Sequence, residues 1–177
     1  TGKELRKRQK ACGGSVATVV QTVWGGRARR LTESEGGVFG SVTAGRESMV
    51  ANSMQLSGGC SNTLMLRCRM TPTTRFPELA ERLQADYGGA MENSHCSPEE
   101  IQKALGRSTP LCSHLLNFHN FSRGGGGPTG QGGAQIPGVQ ILGVDVYDNL
   151  SYDLALYFKA NEKGQYGCTF AYNAKAL

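Results

Sequence analysis

Three histidines, His95, His114 and His119, are the natural proton carriers of this 177-residue chain. No two are adjacent, so none is placed by sequence alone to share a proton with another. His95-Cys96 has the composition of a base and a nucleophile, but sequence neighbours rarely aim at each other. Cys112-Ser113-His114 is an equally thin ligand cluster. The six cysteines, at 12, 60, 68, 96, 112 and 168, contain no C-x-x-C pair, the spacing that zinc sites favour. They read as reduced thiols, several of them small core residues, and no metal site is expected. Arg123 to Gly133 is glycine-rich but lacks the Gly-Lys-Ser/Thr of a phosphate loop, so it reads as a linker. Asp145, Asp148 and Asp153 could suggest a cation, yet their strand and turn setting favours surface roles.

More polar chemistry is concentrated in two stretches. Val38-Phe39-Gly40-Ser41-Val42-Thr43-Ala44-Gly45-Arg46 comes first. Gly58-Gly59-Cys60-Ser61-Asn62-Thr63-Leu64-Met65-Leu66-Arg67 is the second. The Asn62 amide both donates and accepts. Gly40 and Gly45 mark close backbone approach rather than ligand binding. Arg46 and Arg67 can pair with carboxylates or with an anionic ligand.

Elements must position these residues. Glu4 to Cys12 reads as a short basic helix stopped by Gly13-Gly14. Ser15 is a plausible cap for a second helix, whose stripe is Val16, Val19, Val20, Val23 and Trp24, extended by Ala28 and Leu31. Gly25-Gly26 inside it cost about 1 kcal/mol each relative to Ala. Val38 to Ala44 and Ser61 to Met70 read as strands, with irregular chain between them. Phe76 to Met91 is a helix with Phe76, Leu79, Ala80, Leu83 and Tyr87 on one face, opened by Thr74 and Pro77. Ser97-Pro98-Glu99-Glu100 carries the pattern of a capping box. Leu111 to Phe121, Val139 to Tyr147, Tyr152 to Ala160 and Tyr166 to Tyr172 read as strands, the last two as a hairpin. Residues 122–138 form the Gly-rich loop between the first two of these.

Composition supports one folded unit. Apolar residues make up 38% and charged residues 19%, which excludes wholesale disorder. The net charge of +5 gathers in Lys3, Arg6, Lys7, Arg8 and Lys10, then Arg27, Arg29 and Arg30. No aromatic platform accompanies it, so no nucleic-acid partner is expected. Neither a secretory signal nor a membrane-length apolar run is present, and a cytoplasmic location without membrane attachment is expected. Because the chain begins with Thr1 rather than Met, it reads as a fragment or a processed chain.

In this order, the two polar stretches and the segments after them resemble the second lobe of nonribosomal peptide synthetase condensation domains. These are pseudodimers of two chloramphenicol-acetyltransferase-like lobes. Val38-Phe39-Gly40 through Gly45-Arg46 matches the family's "VFG…GR", and Gly58 through Arg67 is similar to "GxFxNTxPxR". His95 through Ile101 resembles an "HxxxPxxxI" helix start, and Asn149 to Leu154 the entry to a late hairpin. The departures are Cys60 for Phe, Ser61 for an aliphatic residue and Met65 for Pro. Gly25, Gly26 and Arg27 stand where apolar helix residues are usual, and Gly88-Gly89 interrupts another usual helix.

The resemblance implies an α/β fold: a mixed β-sheet flanked by helices, a two-layer sandwich of the CoA-dependent acyltransferase type. Residues 1–177 would form one lobe only, the C-terminal half. It implies amide formation between a donor acyl or peptidyl thioester and an acceptor aminoacyl thioester. Both would be carried on phosphopantetheine arms of partner carrier domains, with no cofactor bound directly. The family's catalytic "HHxxxDG" lies in the other lobe. None of the three histidines here is followed four residues on by Asp, so no catalytic residue is assigned within this chain. Candidates to border the tunnel or touch the arm are Ser41, Gly45, Arg46, Gly58, Asn62 and Thr63, with Asn62 alternatively holding the crossover turn. The N-terminal lobe and the upstream and downstream carrier domains are the implied partners. Rival readings are a noncatalytic carrier-binding remnant and half of a stand-alone CoA-dependent acyltransferase.

Overall fold

The computed structural model describes residues 2–32, 36–46, 52, 55, 58–119, 151–160 and 165–176. The expected Gly-rich loop at 122–138 and the expected strand Val139 to Tyr147 lie outside them. Helices α1 (Gly2–Cys12) and α2 (Val16–Thr32) lead into β1 (Gly36–Thr43) and β2 (Asn62–Arg69). Then come α3 (Phe76–Glu92), α4 (Pro98–Ala104), β3 (His114–His119), β4 (Leu154–Ala160) and β5 (Tyr166–Tyr172).

The strands form one mixed sheet in the order β2-β1-β3-β4-β5. β1 runs antiparallel to β2, with Phe39 opposite Leu66 and Ser41 opposite Leu64. It runs parallel to β3 at Gly40 and Leu115. β3 and β4 are also parallel, with Leu116 opposite Leu156, and β4 and β5 close the sheet as an antiparallel pair. Side chains alternate along a strand, so Leu64, Leu66 and Cys68 of β2 are buried while Arg67 and Arg69 are exposed. One sheet face therefore meets α2 and α3 in a core of Val20, Phe39, Leu66, Cys68, Leu79, Leu83, Leu116, Leu156 and Phe158.

The helix boundaries arise from local chemistry. Ser97 accepts from the Glu100 amide and the Glu100 carboxylate accepts from the Ser97 amide, so the expected capping box starts α4. α3 begins after Arg75, which makes no side-chain cap. The Thr74 hydroxyl instead accepts from the Thr71 amide in the preceding turn. Gly88 and Gly89 do not interrupt α3, which continues to Glu92.

The inward face of α2 differs from the expected valine stripe. Val19, Val20 and Ala28 are buried, but Val23 is 49% exposed, and Thr18, Gln21 and Thr22 lie inside. Gly25 lies on the same inward face, where space is short. A Cβ there would sit 2.9 Å from Cys68 Cβ and 3.1 Å from Phe39 Cε1, so the bare glycine lets the helix axis settle close to the sheet. The buried polar groups are satisfied: Gln21 Nε2 donates to Ser41 Oγ (3.1 Å), Thr22 Oγ1 to the Thr18 carbonyl (2.7 Å), and Thr18 Oγ1 to Gln84 Oε1.

Candidate functional site

Five of the six candidate residues gather at one end of the β1–β2 pair. The ladder there closes with Val42 opposite Thr63 and Thr43 opposite Asn62. Beyond it the chain turns at Gly45, whose φ is +64° and whose added Cβ would lie 1.7 Å from the Cys60 carbonyl oxygen. No side chain fits in that space, and the left-handed backbone independently favours glycine. Arg46 Nη2 donates to the Gly58 carbonyl at 3.4 Å, joining the two polar stretches a second time. Gly40 has a similar origin: a Cβ would meet Leu115 Cδ1 and Thr63 Cγ2, each at 2.8 Å.

Asn62 is the knot of this arrangement. Its Nδ2 donates to the carbonyls of Ser94 (2.5 Å) and Cys96 (3.1 Å), both in the α3–α4 connection. Its Oδ1 accepts from the Thr63 amide at 2.8 Å. Both amide protons are therefore used within the fold, and only one oxygen lone pair is left. Ser41 stands apart from the others. It is 2% exposed on the helix-facing side of β1, with its hydroxyl on Gln21.

Spatial neighbours of Thr63 come from distant sequence. The Tyr152 phenol is pushed up by burial first and then by the nearby Cys112, is drawn down by the Thr63 side chain beside it, and is raised a little further by Glu99. The Cys112 thiol reaches Met65 Sδ at 3.8 Å. Burial pushes it up as well, opposed by hydrogen bonds with the Gly40 and His114 backbone. Both groups are held neutral, which disfavours a thiolate nucleophile here. The sequence singled out Cys112, Thr63, Met65 and Gly40 separately; what it did not show is that they meet, with Tyr152, at one place.

His114 is enclosed. Its ring meets Trp24 edge-on (5.6 Å between centroids) and stacks on Phe39 (6.3 Å). Burial pushes its pKa down, so the ring is neutral. Both its Nε2 and Trp24 Nε1 are buried without a hydrogen-bond partner among the described residues. His95 is exposed in the α3–α4 connection. All six cysteines are free. Among the described residues no set of three His, Cys, Asp or Glu side chains could hold a metal ion, and no helix is long and apolar enough to cross a membrane. The arrangement offers shape, amides and hydroxyls, without a free base beside a nucleophile.

The sequence as a whole matches a known family. The sequence model of the Condensation domain family covers residues 1–176, and this chain belongs to that family. Bacitracin synthase 3 of Bacillus licheniformis is 32% identical over 123 residues, which is 67% of this chain and 2% of that protein. Nonribosomal peptide synthetase dtpA of Aspergillus flavus is 30% identical over 148 residues, 80% of this chain and 5% of that protein. The first condensation domain of the CDA synthetase superposes with a TM-score of 0.75 at 18% identity, covering 98% of this chain and 37% of that one. A condensation domain from the Monacolin K polyketide synthase MokA gives 0.75 at 16% identity, covering 98% and 39%. The chain thus spans a few hundredths of these synthetases and under two fifths of the solved domains. The mixed five-stranded sheet flanked by helices is the fold they share.

Proposed function

We propose that this chain is the C-terminal lobe of a condensation domain in a nonribosomal peptide synthetase. The complete domain would join two carrier-bound thioesters. The acceptor's amine attacks the donor's carbonyl carbon, an amide forms, and the donor arm leaves as a thiol. This lobe supplies a wall of the tunnel, and the other lobe supplies the general base. One observation carries the reading: the family match runs through residues 1–176 without any adjacent histidine pair in the sequence.

Within the wall, the backbone of residues 41–46 and 58–63 borders the passage and the Thr63 side chain faces the arm, while Asn62, on the other sheet face, keeps the α3–α4 connection against it. The partners are the N-terminal lobe and carrier domains bearing phosphopantetheine, in the cytoplasm. A noncatalytic, carrier-binding lobe is the second reading, favoured by the structural use of both Asn62 amide protons.

The test is turnover with carrier-bound donor and acceptor thioesters. Alone, the chain gives no amide, and product from the chain alone would sink the reading. Joined to the segment encoded immediately upstream, it gives amide that vanishes when the paired histidines of that segment are changed. Carrier binding without product in the joined protein would favour the noncatalytic reading.

A further inference from the structure

The open edge of β2 carries a feature that the tunnel reading does not use. Among the described residues β2 pairs only with β1, and its far side has no strand. Beside that edge runs a groove of about 310 Å³, lined by Arg67, Arg69, Arg82 and Asp86 at its rim and by Leu79, Leu83 and Ala85 of α3. Arg67 and Arg69 are exposed and make no side-chain hydrogen bond or ion pair among the described residues. Arg82 is held against Glu78 at 2.5 Å. Three guanidinium groups thus face one carboxylate across the recess.

Arg67 and Arg69 lie two residues apart on one strand face, so their Cα atoms are separated by about 6.6 Å. A strand added alongside β2 would repeat that spacing, placing every second side chain opposite an arginine. Opposite charges in such cross-strand positions attract, and the guanidinium fork matches a carboxylate. The intervening side chains of the added strand would point toward α3, where Ala85 is exposed and Leu79 and Leu83, already buried in the core, form only the floor of the groove. Edge arginines commonly serve only to discourage strand pairing, but that role needs no recess with an apolar wall beside them.

We propose that the β2 edge is a docking site for an extended segment of a partner protein in which carboxylates alternate with apolar residues. The segment pairs its backbone with β2, sets its carboxylates on Arg67 and Arg69, and packs its apolar side chains against α3. The groove contains none of the candidate tunnel residues, so docking there is independent of catalysis.

The experiment uses the full chain and a fluorescein-labelled peptide of alternating Glu and Val, read by fluorescence anisotropy. Controls are a peptide of the same composition with its Glu residues in one block, and an alternating peptide N-methylated at the edge-facing amides. The alternating peptide binds, and about tenfold more tightly than either control. The double variant Arg67→Ser/Arg69→Ser weakens it about tenfold, while Arg75→Ser, outside the groove, leaves it unchanged. Raising salt from about 0.05 to 0.5 M weakens binding. Equal binding of the blocked peptide would reduce the groove to a general anion patch and overturn the proposal. So would equal binding of the N-methylated peptide, no measurable binding, or a double variant that binds like the parent. The N-methylated peptide tests strand pairing on the unaltered chain, so the proposal can fail even where the double variant folds poorly.

Discussion

The Asn62 amide nitrogen points its protons at two backbone carbonyls, so an oxygen in its place turns two attractions into two repulsions. Asn62→Asp keeps size and shape and makes that exchange. It should lower unfolding free energy by about 2–4 kcal/mol in urea denaturation, with Asn62→Ala costing about 1–3 kcal/mol through the unpaired carbonyls. An Asp variant as stable as the parent would mean that the amide does not hold the α3–α4 connection and is available to a ligand. The sequence showed that Asn62 mattered and left two uses open, arm contact or turn. Its partners, Ser94 and Cys96, lie 32 and 34 residues away, beyond any local pattern. Gly45 was more legible, because a glycine between two strands already suggests close approach; only the coordinates show that the approach is to the Cys60 carbonyl.

At the scale of elements, glycine has opposite meanings in two helices. Gly25 of α2 lies against Cys68 and Phe39, where a methyl group has no room, whereas a Cβ on Gly89 of α3 would meet nothing within 4 Å. Gly25→Ala should destabilise by about 1–2 kcal/mol, because overpacking against the sheet outweighs the gain in helix propensity. Gly89→Ala should stabilise by about 0.5–1 kcal/mol. Urea midpoints that move the same way for both variants would refute this account of α2. The same pair marks where sequence reading stopped. The existence and order of α1 to α4 and β1 to β5 were readable from period and caps, β3 within the expected Leu111 to Phe121. The inward face of α2 was readable in part: Val19, Val20 and Ala28 are buried and Val16 and Trp24 pack against the core, but periodicity misplaced Val23 and is blind to Thr18, Gln21 and Thr22, whose hydrogen bonds make their burial tolerable. The parallel neighbours of β3 were not readable, since long-range pairing leaves no local mark.

For the molecule as a whole, the ionisable groups with shifted pKa values predict how stability depends on pH. Burial depresses His114 below its ordinary 6.5. The unfolded chain therefore takes up a proton first as pH falls, so stability is full above about pH 6.5 and declines below it. On the alkaline side, burial raises the thiols of Cys68 and Cys112 above 9.0 and the Tyr152 phenol above 10.0. There the unfolded chain loses its protons first, so stability declines as pH rises through the unfolded values. Urea midpoints measured under reductant should be highest at about pH 7–8 and fall toward both pH 5 and pH 10. His114→Phe places a third apolar ring between Trp24 and Phe39 and should flatten the acid limb while sparing the alkaline one. Cys112→Ser, which removes one raised thiol and the charge it sets beside Tyr152, should make the alkaline limb shallower without abolishing it and leave the acid limb as it was. A midpoint that rises from pH 7 to pH 5, or an acid limb unchanged in His114→Phe, would show that the buried imidazole is not what limits the fold in acid. The two limbs share one physical source, burial of groups that ionise more easily in water, so each must respond to its own substitution and not to the other.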